Sequence, residues 1–260
     1  MKAKEVCTVI SQERIAGDIY SMWLQAERIA PQAAAGQFIS LYTGDKSKLL
    51  PRPISLCEID REKGLLRIVY RVTGKGTGTE EFSRLRKGDT VEVLGPLGNG
   101  FPLEEAEGKR VFLMGGGIGI PPMVETAKQL SARAQVTVIA GYRDETFLEE
   151  ELAGCGQLYV ATEDGSAGTR GNVMDAIREN GLSADVIFAC GPAPMLRAIK
   201  AYAGENQIPC WISMEERMAC GIGACLACVC RSGEVDGHSH VHNKRICKDG
   251  PVFPASEVEL

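Results

Sequence analysis

Four cysteines in the last part of the chain constrain its structure more than any other feature. Cys220, Cys225 and Cys228 are separated by four and two residues, and Cys247 follows farther along the chain. Plant-type [2Fe–2S] proteins hold two irons with four thiolates at this spacing. Small glycine and alanine residues separate the cysteines, so backbone N–H groups can approach the sulfur atoms closely. The sequence therefore predicts a [2Fe–2S] cluster in this segment.

Two other uses of these cysteines stay open. A structural zinc site is one, although such sites normally use paired short knuckles, and Cys247 has no neighbouring cysteine. The other is a different ligand set, in which the surplus Cys230 replaces Cys228 as a ligand of the cluster. The two-residue interval between Cys225 and Cys228 favours Cys228 as the third ligand.

Three histidines, His238, His240 and His242, lie in one short loop between the third and fourth predicted ligands. A Rieske centre uses two histidines, but each would need a cysteine beside it in its own loop. The sequence does not have that arrangement. We therefore expect a solvated loop here rather than a set of metal ligands.

The overall composition limits the classes of partner. The 260 residues are 44% hydrophobic and 24% charged, with a net charge of −5. No basic field is present to attract nucleic acid or anionic lipid, and no apolar run approaches the ~20 residues of a membrane span. The N-terminus lacks an apolar signal core. We expect a cytoplasmic protein whose ten cysteines serve metal binding rather than disulfides.

The pattern of apolar residues changes twice along the chain, and these changes predict three domains at residues 1–102, 103–212 and 213–260. Short strands at about ten-residue spacing predict an antiparallel β-barrel first. Apolar runs that alternate with helical segments then predict a parallel sheet wrapped in helices. The remaining segment has too few apolar residues for its own core. The predicted barrel strands are residues 6–10, 19–24, 37–42, 65–71 and 90–94, and the predicted helices are 124–132, 145–152, 172–180 and 193–205.

A glycine-rich turn follows the first strand of the predicted parallel sheet. It contains Gly115, Gly117 and Gly119 and leads into a helix, which is the arrangement that lets backbone N–H groups approach a pyrophosphate. A second turn, with Cys190 and Gly191, ends a later strand at the same edge of the sheet. These turns predict a nicotinamide-nucleotide site. Contact with the nicotinamide and simple burial are both open as roles for Cys190.

The predicted barrel carries the segment Leu50-Pro51-Arg52-Pro53-Ile54-Ser55-Leu56, followed by a Val-Tyr-Arg strand and a glycine-rich loop. Here the chain resembles the ferredoxin-reductase family of flavoproteins. The resemblance implies that Arg52 holds the FAD pyrophosphate, that Ser55 acts near the flavin N5, and that Gly76 and Thr77 face the phosphates. Ile54 occupies the family's aromatic position, so flavin stacking is expected from another residue, with Tyr70 as the candidate. The further FAD contacts implied are Pro53, Ile54, Val69 and Arg71.

The order of the three parts resembles the electron-transfer subunits of NAD-dependent (class 1B) dihydroorotate dehydrogenase. The resemblance covers essentially the whole chain. It implies FAD and a [2Fe–2S] cluster in this chain, and a partnership with an FMN-containing catalytic subunit that oxidises dihydroorotate in pyrimidine biosynthesis, as two small and two catalytic subunits. Electrons would pass from FMN through the cluster and FAD to NAD⁺, because nicotinamide takes two electrons as hydride whereas a cluster passes one at a time. The isolated chain is expected to act as an NADH diaphorase.

Two rival functions stay open. One is the small flavoprotein subunit of an NADH-dependent ferredoxin or sulfide oxidoreductase, whose members tend to have an Asp among the cluster ligands where this chain has four cysteines. The other is a non-enzymatic zinc-binding adaptor. NAD over NADP preference, reduction potentials, direction and stoichiometry are not encoded in these patterns.

Overall fold

The computed structural model describes residues 2–237 and 240–260. A closed antiparallel barrel forms the first part of this described chain. Its strands are β1 (Ala3–Ala16), β2 (Ile19–Gln25), β3 (Phe38–Tyr42), β4 (Arg52–Asp60), β5 (Leu65–Arg71) and β6 (Thr90–Leu97), and the short helix α1 (Gly78–Phe82) precedes β6. They pair in the order β1-β2-β5-β4-β3-β6. All five strands predicted from the sequence are present, and the predicted barrel is confirmed.

Alternation along β3 separates two environments. Ile39 and Leu41 point into the barrel core, whereas Phe38 belongs to a different buried cluster, outside the barrel. Because side chains of a strand alternate between its faces, Ser40 lies on the outer face with Phe38. This outer face of β3 is therefore covered by another part of the chain.

A mostly parallel sheet follows, and its outermost strand comes from the C-terminal end of the chain. The strands and helices from residue 110 to the C-terminal end, including the two strands β13 and β14 that lie outside this sheet, are β7 (Arg110–Gly116), α2 (Pro121–Leu130), β8 (Gln135–Tyr142), α3 (Glu149–Ala153), β9 (Gln157–Thr162), β10 (Thr169–Arg170), α4 (Val173–Glu179), β11 (Val186–Cys190), α5 (Ala193–Glu205), β12 (Cys210–Ser213), β13 (Val229–Arg231), β14 (Asn243–Arg245) and β15 (Val252–Pro254). The strand order is β10-β9-β8-β7-β11-β12-β15. Only β15 is antiparallel, against β12. The predicted parallel sheet is confirmed.

The four helices predicted from the sequence correspond to α2, α3, α4 and α5. The bounds of α5 match the prediction, whereas α3 begins four residues later than predicted. The reason is Leu148, which has a φ of 62° and so cannot lie inside a right-handed helix. Across residues 2–237 and 240–260, none of the helices combines the length and apolar character that crossing a membrane requires.

A buried ion-pair network joins the barrel to the helical layer of the sheet. Arg67 of β5 donates to Glu58 at 2.5 Å and to Glu151 of α3 at 2.9 Å. Lys128 of α2 also pairs with Glu58, and the Glu125 carboxylate accepts from the Ile59 N–H at 2.9 Å. These contacts connect the barrel strands β4 and β5 to the helices α2 and α3.

The cysteine-rich segment has little regular structure. Its own sheet consists of β13 and β14, each three residues long. Arg245, at the end of β14, is held by Asp249 at 3.0 Å and by Asp236 at 3.6 Å. The apolar residues of the segment join the same buried cluster as Phe38, so this segment is packed against the two larger parts of the molecule.

Candidate functional site

A cavity of about 270 Å³ lies where the barrel, the parallel sheet and the segment after β12 meet. Its lining combines residues from all three. They are Phe38, Arg52, Pro53, Ile54, Ser55, Val69, Tyr70, Arg71, Thr73, Thr79, Ile118, Ser213, Met214, Glu215, Glu216, Met218 and Pro251. Seven of the residues predicted to bind FAD therefore lie around one cavity.

The barrel wall of the cavity is positioned by strand pairing. In the ladder between β3 and β4, Arg52 is opposite Leu41 and Ser55 is opposite Phe38. Ile54, which occupies the position that is aromatic in the ferredoxin-reductase family, also packs into the barrel core. The strand therefore holds Arg52 and Ser55 at separate points along the same wall.

Tyr70 forms part of this wall but is only 2% exposed. Its ring lies over Tyr20 at 6.0 Å between centroids, with an angle of 19° between the planes. Its hydroxyl donates to Gln12 Oε1 at 2.8 Å, and burial raises its pKa. The hydroxyl of Tyr70 is therefore engaged inside the barrel, and its stacking on a flavin stays a prediction.

Gly76 and Thr77 lie at the start of α1, beside Arg52. A Cβ atom at Gly78 would be 3.0 Å from Arg52 Nε, so the guanidinium packs directly against this turn. Thr77 caps α1 by accepting from the Glu80 N–H, and the Gly76 N–H donates to Glu80 Oε2 at 2.6 Å. Arg52 and the glycine-rich loop are thus close together, although Gly76 and Thr77 do not line the cavity.

The two turns predicted to bind nicotinamide nucleotide lie against each other at the carboxyl edge of the sheet. Cys190 pairs with Gly115 across β11 and β7. A Cβ atom at Gly119 would be 2.4 Å from the Cys190 carbonyl oxygen and 2.7 Å from Gly191 Cα. Ile118, in the middle of the first turn, lines the cavity. Glycine at position 119 is therefore required for the contact between the turns, and the first turn reaches the cavity through Ile118.

Cys190 itself is fully buried. Burial raises the pKa of its thiol, so the neutral form is favoured. Its neighbour on β12 is Ser213, and Ser213 does line the cavity. A role of Cys190 at the nicotinamide stays a prediction.

Sequence reasoning missed the segment that runs from Ser213 to Met218. Five of its residues line the cavity, and it ends two residues before Cys220. Glu215 is exposed within the open cavity, yet the surrounding atoms desolvate its carboxylate and raise its pKa. The signal was available, because β12 ends at the same carboxyl edge as the two glycine turns, where open α/β sheets bind their ligands.

The four predicted cluster cysteines form two pairs in space. The Cys225 thiol helps to lower the pKa of Cys220, and the Cys247 thiol lowers the pKa of Cys228, whose Sγ also lies 3.5 Å from the Cys247 N–H. In residues 2–237 and 240–260, no three Cys, His, Asp or Glu side chains are grouped around one point suited to a single metal ion. Two pairs of thiolates suit a cluster in which each of two irons takes two sulfur ligands.

The surrounding backbone favours thiolates at this site. Burial raises the pKa of Cys220, but the N–H groups of Ile222, Cys225 and Ala224 outweigh it and bring that pKa to about 6. The hydrogen bond from Cys247, with backbone N–H groups, lowers the pKa of Cys228 to about 6. Hydrogen bonding to the Cys228 thiolate and burial raise the pKa of Cys247.

Glycine allows the loop to come this close. Gly223 donates its N–H to Cys247 Sγ at 3.1 Å with a φ of 85°, which only glycine adopts without strain. The N–H groups of Ile222 and Ala224 lie 3.4 and 3.3 Å from Cys220 Sγ. The residues present therefore fit an iron–sulfur cluster, which needs thiolate ligands and backbone donors to its sulfur atoms.

The other candidate metal ligands lie apart from these pairs. Cys230, on β13, is buried with its Sγ 3.6 Å from the Lys244 carbonyl oxygen, and burial raises its pKa. His242 Nδ1 is 3.1 Å from the Gly233 carbonyl oxygen, and His240 is exposed. His238 lies outside the described residues.

The cavity and the cysteine pairs share one packed core. Phe38 and Met218 line the cavity, and both belong to the buried cluster that contains Cys228, Cys247 and Ile246. This joins an aromatic-lined ligand cavity to a thiolate site without a solvent layer between them. A fold and site of this kind define an iron–sulfur flavoprotein of the ferredoxin-reductase type, a component of an oxidoreductase.

Comparisons with known proteins agree with this class. Residues 6–101 match the oxidoreductase FAD-binding domain, and residues 215–259 match the iron–sulfur cluster binding domain of dihydroorotate dehydrogenase B. The chain is 48% identical over 265 residues to the dihydroorotate dehydrogenase B (NAD(+)) electron transfer subunit of Bacillus caldolyticus, and 47% identical to that of Geobacillus kaustophilus, with complete coverage of both chains in each case. The chain belongs to the family of dihydroorotate dehydrogenase B electron transfer subunits.

Solved structures show the same architecture. An NADH-dependent reduced ferredoxin-NADP oxidoreductase, studied for flavin-based electron bifurcation, superposes with a TM-score of 0.85 at 31% identity, over 97% of this chain and 89% of that one. The ferredoxin reductase of carbazole 1,9a-dioxygenase has a TM-score of 0.66 at 16% identity, over 80% and 67% of the two chains. The second similarity is one of fold alone.

Proposed function

We propose that this chain carries electrons from the FMN of a dihydroorotate-oxidising catalytic subunit, through a [2Fe–2S] cluster and FAD, to NAD⁺ in pyrimidine biosynthesis. The observation that carries this proposal is the shared core of the cavity and the cysteine pairs, in which Met218 lines the cavity two residues before Cys220. When bound, FAD exchanges single electrons on one side and a hydride on the other, and the cluster supplies single electrons. The chain's own residues hold these groups close together.

Around the flavin, Arg52 and Ser55 have different tasks. Arg52 offers a guanidinium fork, suited to a diphosphate, beside the turn of Gly76 and Thr77. Ser55 offers a hydroxyl on the cavity wall opposite the segment from Ser213 to Glu216. We propose that Ser55 orients the flavin ring, with Pro53, Ile54, Val69, Tyr70 and Arg71 completing the barrel wall.

NAD⁺ binding is assigned to the carboxyl edge of the parallel sheet. Gly115, Gly117 and Gly119 contribute no side chains to the first turn, and Gly191 contributes none to the second. The backbone N–H groups of glycine-rich turns that lead into a helix suit a pyrophosphate. Ile118 brings this turn to the flavin cavity, so a nicotinamide bound here would reach the cavity wall.

Electrons are proposed to enter at the cluster, through Cys220, Cys225, Cys228 and Cys247. The outer side of this loop is open, with Cys225 exposed and Ile222, Leu226 and Val229 exposed by 46, 38 and 37%. Apolar side chains around a redox site suit contact with a partner protein. We propose that the FMN-containing catalytic subunit binds here, in the two-plus-two assembly that the family resemblance implies.

The domain limits 1–102, 103–212 and 213–260 stay part of the proposal. The end of β6 at Leu97 and the start of β7 at Arg110 support the first limit, and the family match from residue 215 supports the second. β15 crosses that second limit by joining the parallel sheet. We also propose the cytoplasm as the compartment, since four free thiolates require a reducing environment until the cluster is in place.

The rival with a specific observation behind it is the small subunit of an NADH-dependent ferredoxin oxidoreductase. The structural similarity to the ferredoxin-NADP oxidoreductase, with a TM-score of 0.85, favours this rival. Sequence identity favours the dihydroorotate enzyme, because the chain is 48% identical to that enzyme's electron transfer subunit over complete chains and only 31% identical to the ferredoxin-NADP oxidoreductase. The zinc-binding adaptor is disfavoured by the two thiolate pairs and by the FAD-binding family match.

Co-purification from the native host tests the proposal. The expected result is a complex with an FMN-bearing subunit that reduces NAD⁺ when dihydroorotate is added, and an isolated chain that only oxidises NADH with artificial acceptors. A complex that instead reduces ferredoxin with NADH, and ignores dihydroorotate, would replace this proposal by its rival. Comparing NADP⁺ with NAD⁺ in the same assay also settles the nucleotide preference.

A further inference from the structure

Ser40 is a buried polar residue that the site described above does not use. It is fully buried, and its hydroxyl has no hydrogen-bond partner among residues 2–237 and 240–260. Buried hydroxyl groups are almost always hydrogen-bonded, because removing them from water without a partner is unfavourable. An unpartnered hydroxyl in a closed core therefore indicates a group that binds there.

The neighbours of Ser40 identify the direction in which its hydroxyl points. Ser40 shares the outer face of β3 with Phe38, away from Ile39 and Leu41 in the barrel core. A Cβ atom on Gly221 would be 3.4 Å from Ser40 Oγ and 3.1 Å from Leu97 Cδ1. Ser40 therefore faces the backbone of the cluster loop, one residue after Cys220, and it does not line the flavin cavity.

Gly221 makes this approach possible. Its φ is 67°, a conformation that favours glycine, and any side chain there would fill the space between Ser40 and the loop. The loop itself supplies N–H donors to Cys220 from Ile222 and Ala224. From the barrel, Ser40 offers its hydroxyl across Gly221.

We propose that the Ser40 hydroxyl donates a hydrogen bond to a sulfur atom of the cluster, across Gly221, and thereby raises the cluster's reduction potential. The proposal rests on the cluster ligands assigned above. Reduction adds one negative charge to the cluster, and a donor to its sulfur atoms stabilises the reduced form more than the oxidised form. Ser40 is thus a positioning and tuning residue from the flavin-binding barrel.

The test is the midpoint potential of the cluster in the full-length chain, measured by an EPR-monitored redox titration. Ser40→Ala is expected to lower the ratio of reduced to oxidised cluster at a fixed potential by on the order of tenfold, which is about 59 mV for a one-electron couple. Ser40→Thr keeps a hydroxyl and is expected to retain the wild-type potential. The flavin potential, measured optically in the same samples, is expected to stay unchanged.

A matched control is Thr126→Val, which removes a fully buried hydroxyl from α2 whose partner is the Pro122 carbonyl. It should move neither potential. Should Ser40→Ala fail to retain its cluster, the isosteric pair Ser40→Thr and Ser40→Val gives the same comparison. Pulsed EPR in D₂O adds a second readout, because an exchangeable deuteron near the reduced cluster should disappear when the hydroxyl is removed.

An unshifted cluster potential in Ser40→Ala would overturn the proposal, as would an equal fall in Ser40→Ala and Ser40→Thr. A shift confined to the flavin would also overturn it and would assign the hydroxyl to that cofactor. These outcomes are separate from a failure of the proposed function, in which the wild-type chain itself would show no cluster signal.

Discussion

The flavin cavity and the cysteine loop are built in different ways, although they share one core. The barrel wall of the cavity consists of paired strands, and the β3–β4 ladder positions Arg52 and Ser55 through backbone hydrogen bonds. The cysteine loop has two strands of three residues, and N–H contacts to sulfur add to the ion pairs of Arg245. The first site is thus a property of the polypeptide fold, whereas the second depends on the group that its thiolates bind.

Because of this difference, we expect substitutions to affect the two sites in different ways. A cavity wall built from the paired strands of a closed barrel keeps its shape when one side chain is removed, so substitutions in that wall change affinity by degrees. A loop without a core of its own gains its folding energy from metal binding. Losing one ligand there should remove the cluster altogether, and the predictions below separate these two behaviours.

The largest effect is expected from Cys225→Ser. Loss of one thiolate should abolish the visible cluster absorption while the FAD content stays at one per chain, because Cys225 is exposed and does not line the cavity. The matched control is Cys230→Ala, which removes the surplus buried thiol and should leave the cluster spectrum intact. Full cluster absorption in Cys225→Ser, or its loss in Cys230→Ala, would reverse the ligand assignment.

Removing the iron should loosen one region and spare the other. After anaerobic chelation, limited proteolysis is expected to cut first between Cys220 and Arg245, whose described residues have only the short strands β13 and β14 as regular structure, while the barrel stays resistant. Mass spectrometry of the fragments checks this. Equal protection of both regions after chelation would show that the loop is held by the polypeptide alone.

A graded effect is expected from Arg52→Ala. Hydrogen bonds from a charged donor contribute about 1.5–3 kcal/mol, so FAD affinity should fall by roughly 10- to 100-fold with the cluster unchanged. Fluorescence titration of FAD into the stripped protein measures this. Arg84→Ala, which removes an exposed arginine of the same barrel, is the control, and equal FAD affinity in the two variants would remove Arg52 from the pyrophosphate site.

The smallest effect is expected from Tyr70→Phe. The hydroxyl bonds Gln12 inside the barrel, so its loss should lower the free energy of unfolding by about 1 kcal/mol and leave the flavin spectrum unchanged. Chemical denaturation with optical spectra tests both parts. A changed flavin spectrum at unchanged stability would place the hydroxyl at the cofactor.

Much of this molecule is predictable from its sequence, for identifiable reasons. The spacing of the cysteines, the alternation along the barrel strands and the full extent of α5 are all local patterns that can be recognised in the sequence. The strand β4 (Arg52–Asp60) was not among the strands predicted by alternation, because Pro53 lies near its start and a bulge between Leu56 and Glu58 interrupts its alternation. Local patterns fail where the chain departs from regular geometry.

Contacts between distant segments were also beyond the sequence patterns. The strand β15 pairs with β12 across the cysteine-rich segment, and nothing local in three residues indicates such a partner. The cavity wall from Ser213 to Met218 has no motif of its own, and its role follows from where β12 ends. In the sequence, Ser40 is not distinguished from other strand residues, because its neighbour Gly221 is distant along the chain and only the fold brings the two together.

The most direct test of the central claim, that the two sites form one electron path, is to add NADH to the anaerobic protein and record EPR spectra. The account predicts that the flavin absorption bleaches and that the signal of a reduced [2Fe–2S] cluster then develops in the wild type, whereas Cys225→Ser shows the bleaching alone. Bleaching in the wild type with no cluster signal, from protein shown to contain iron and sulfide, would contradict it.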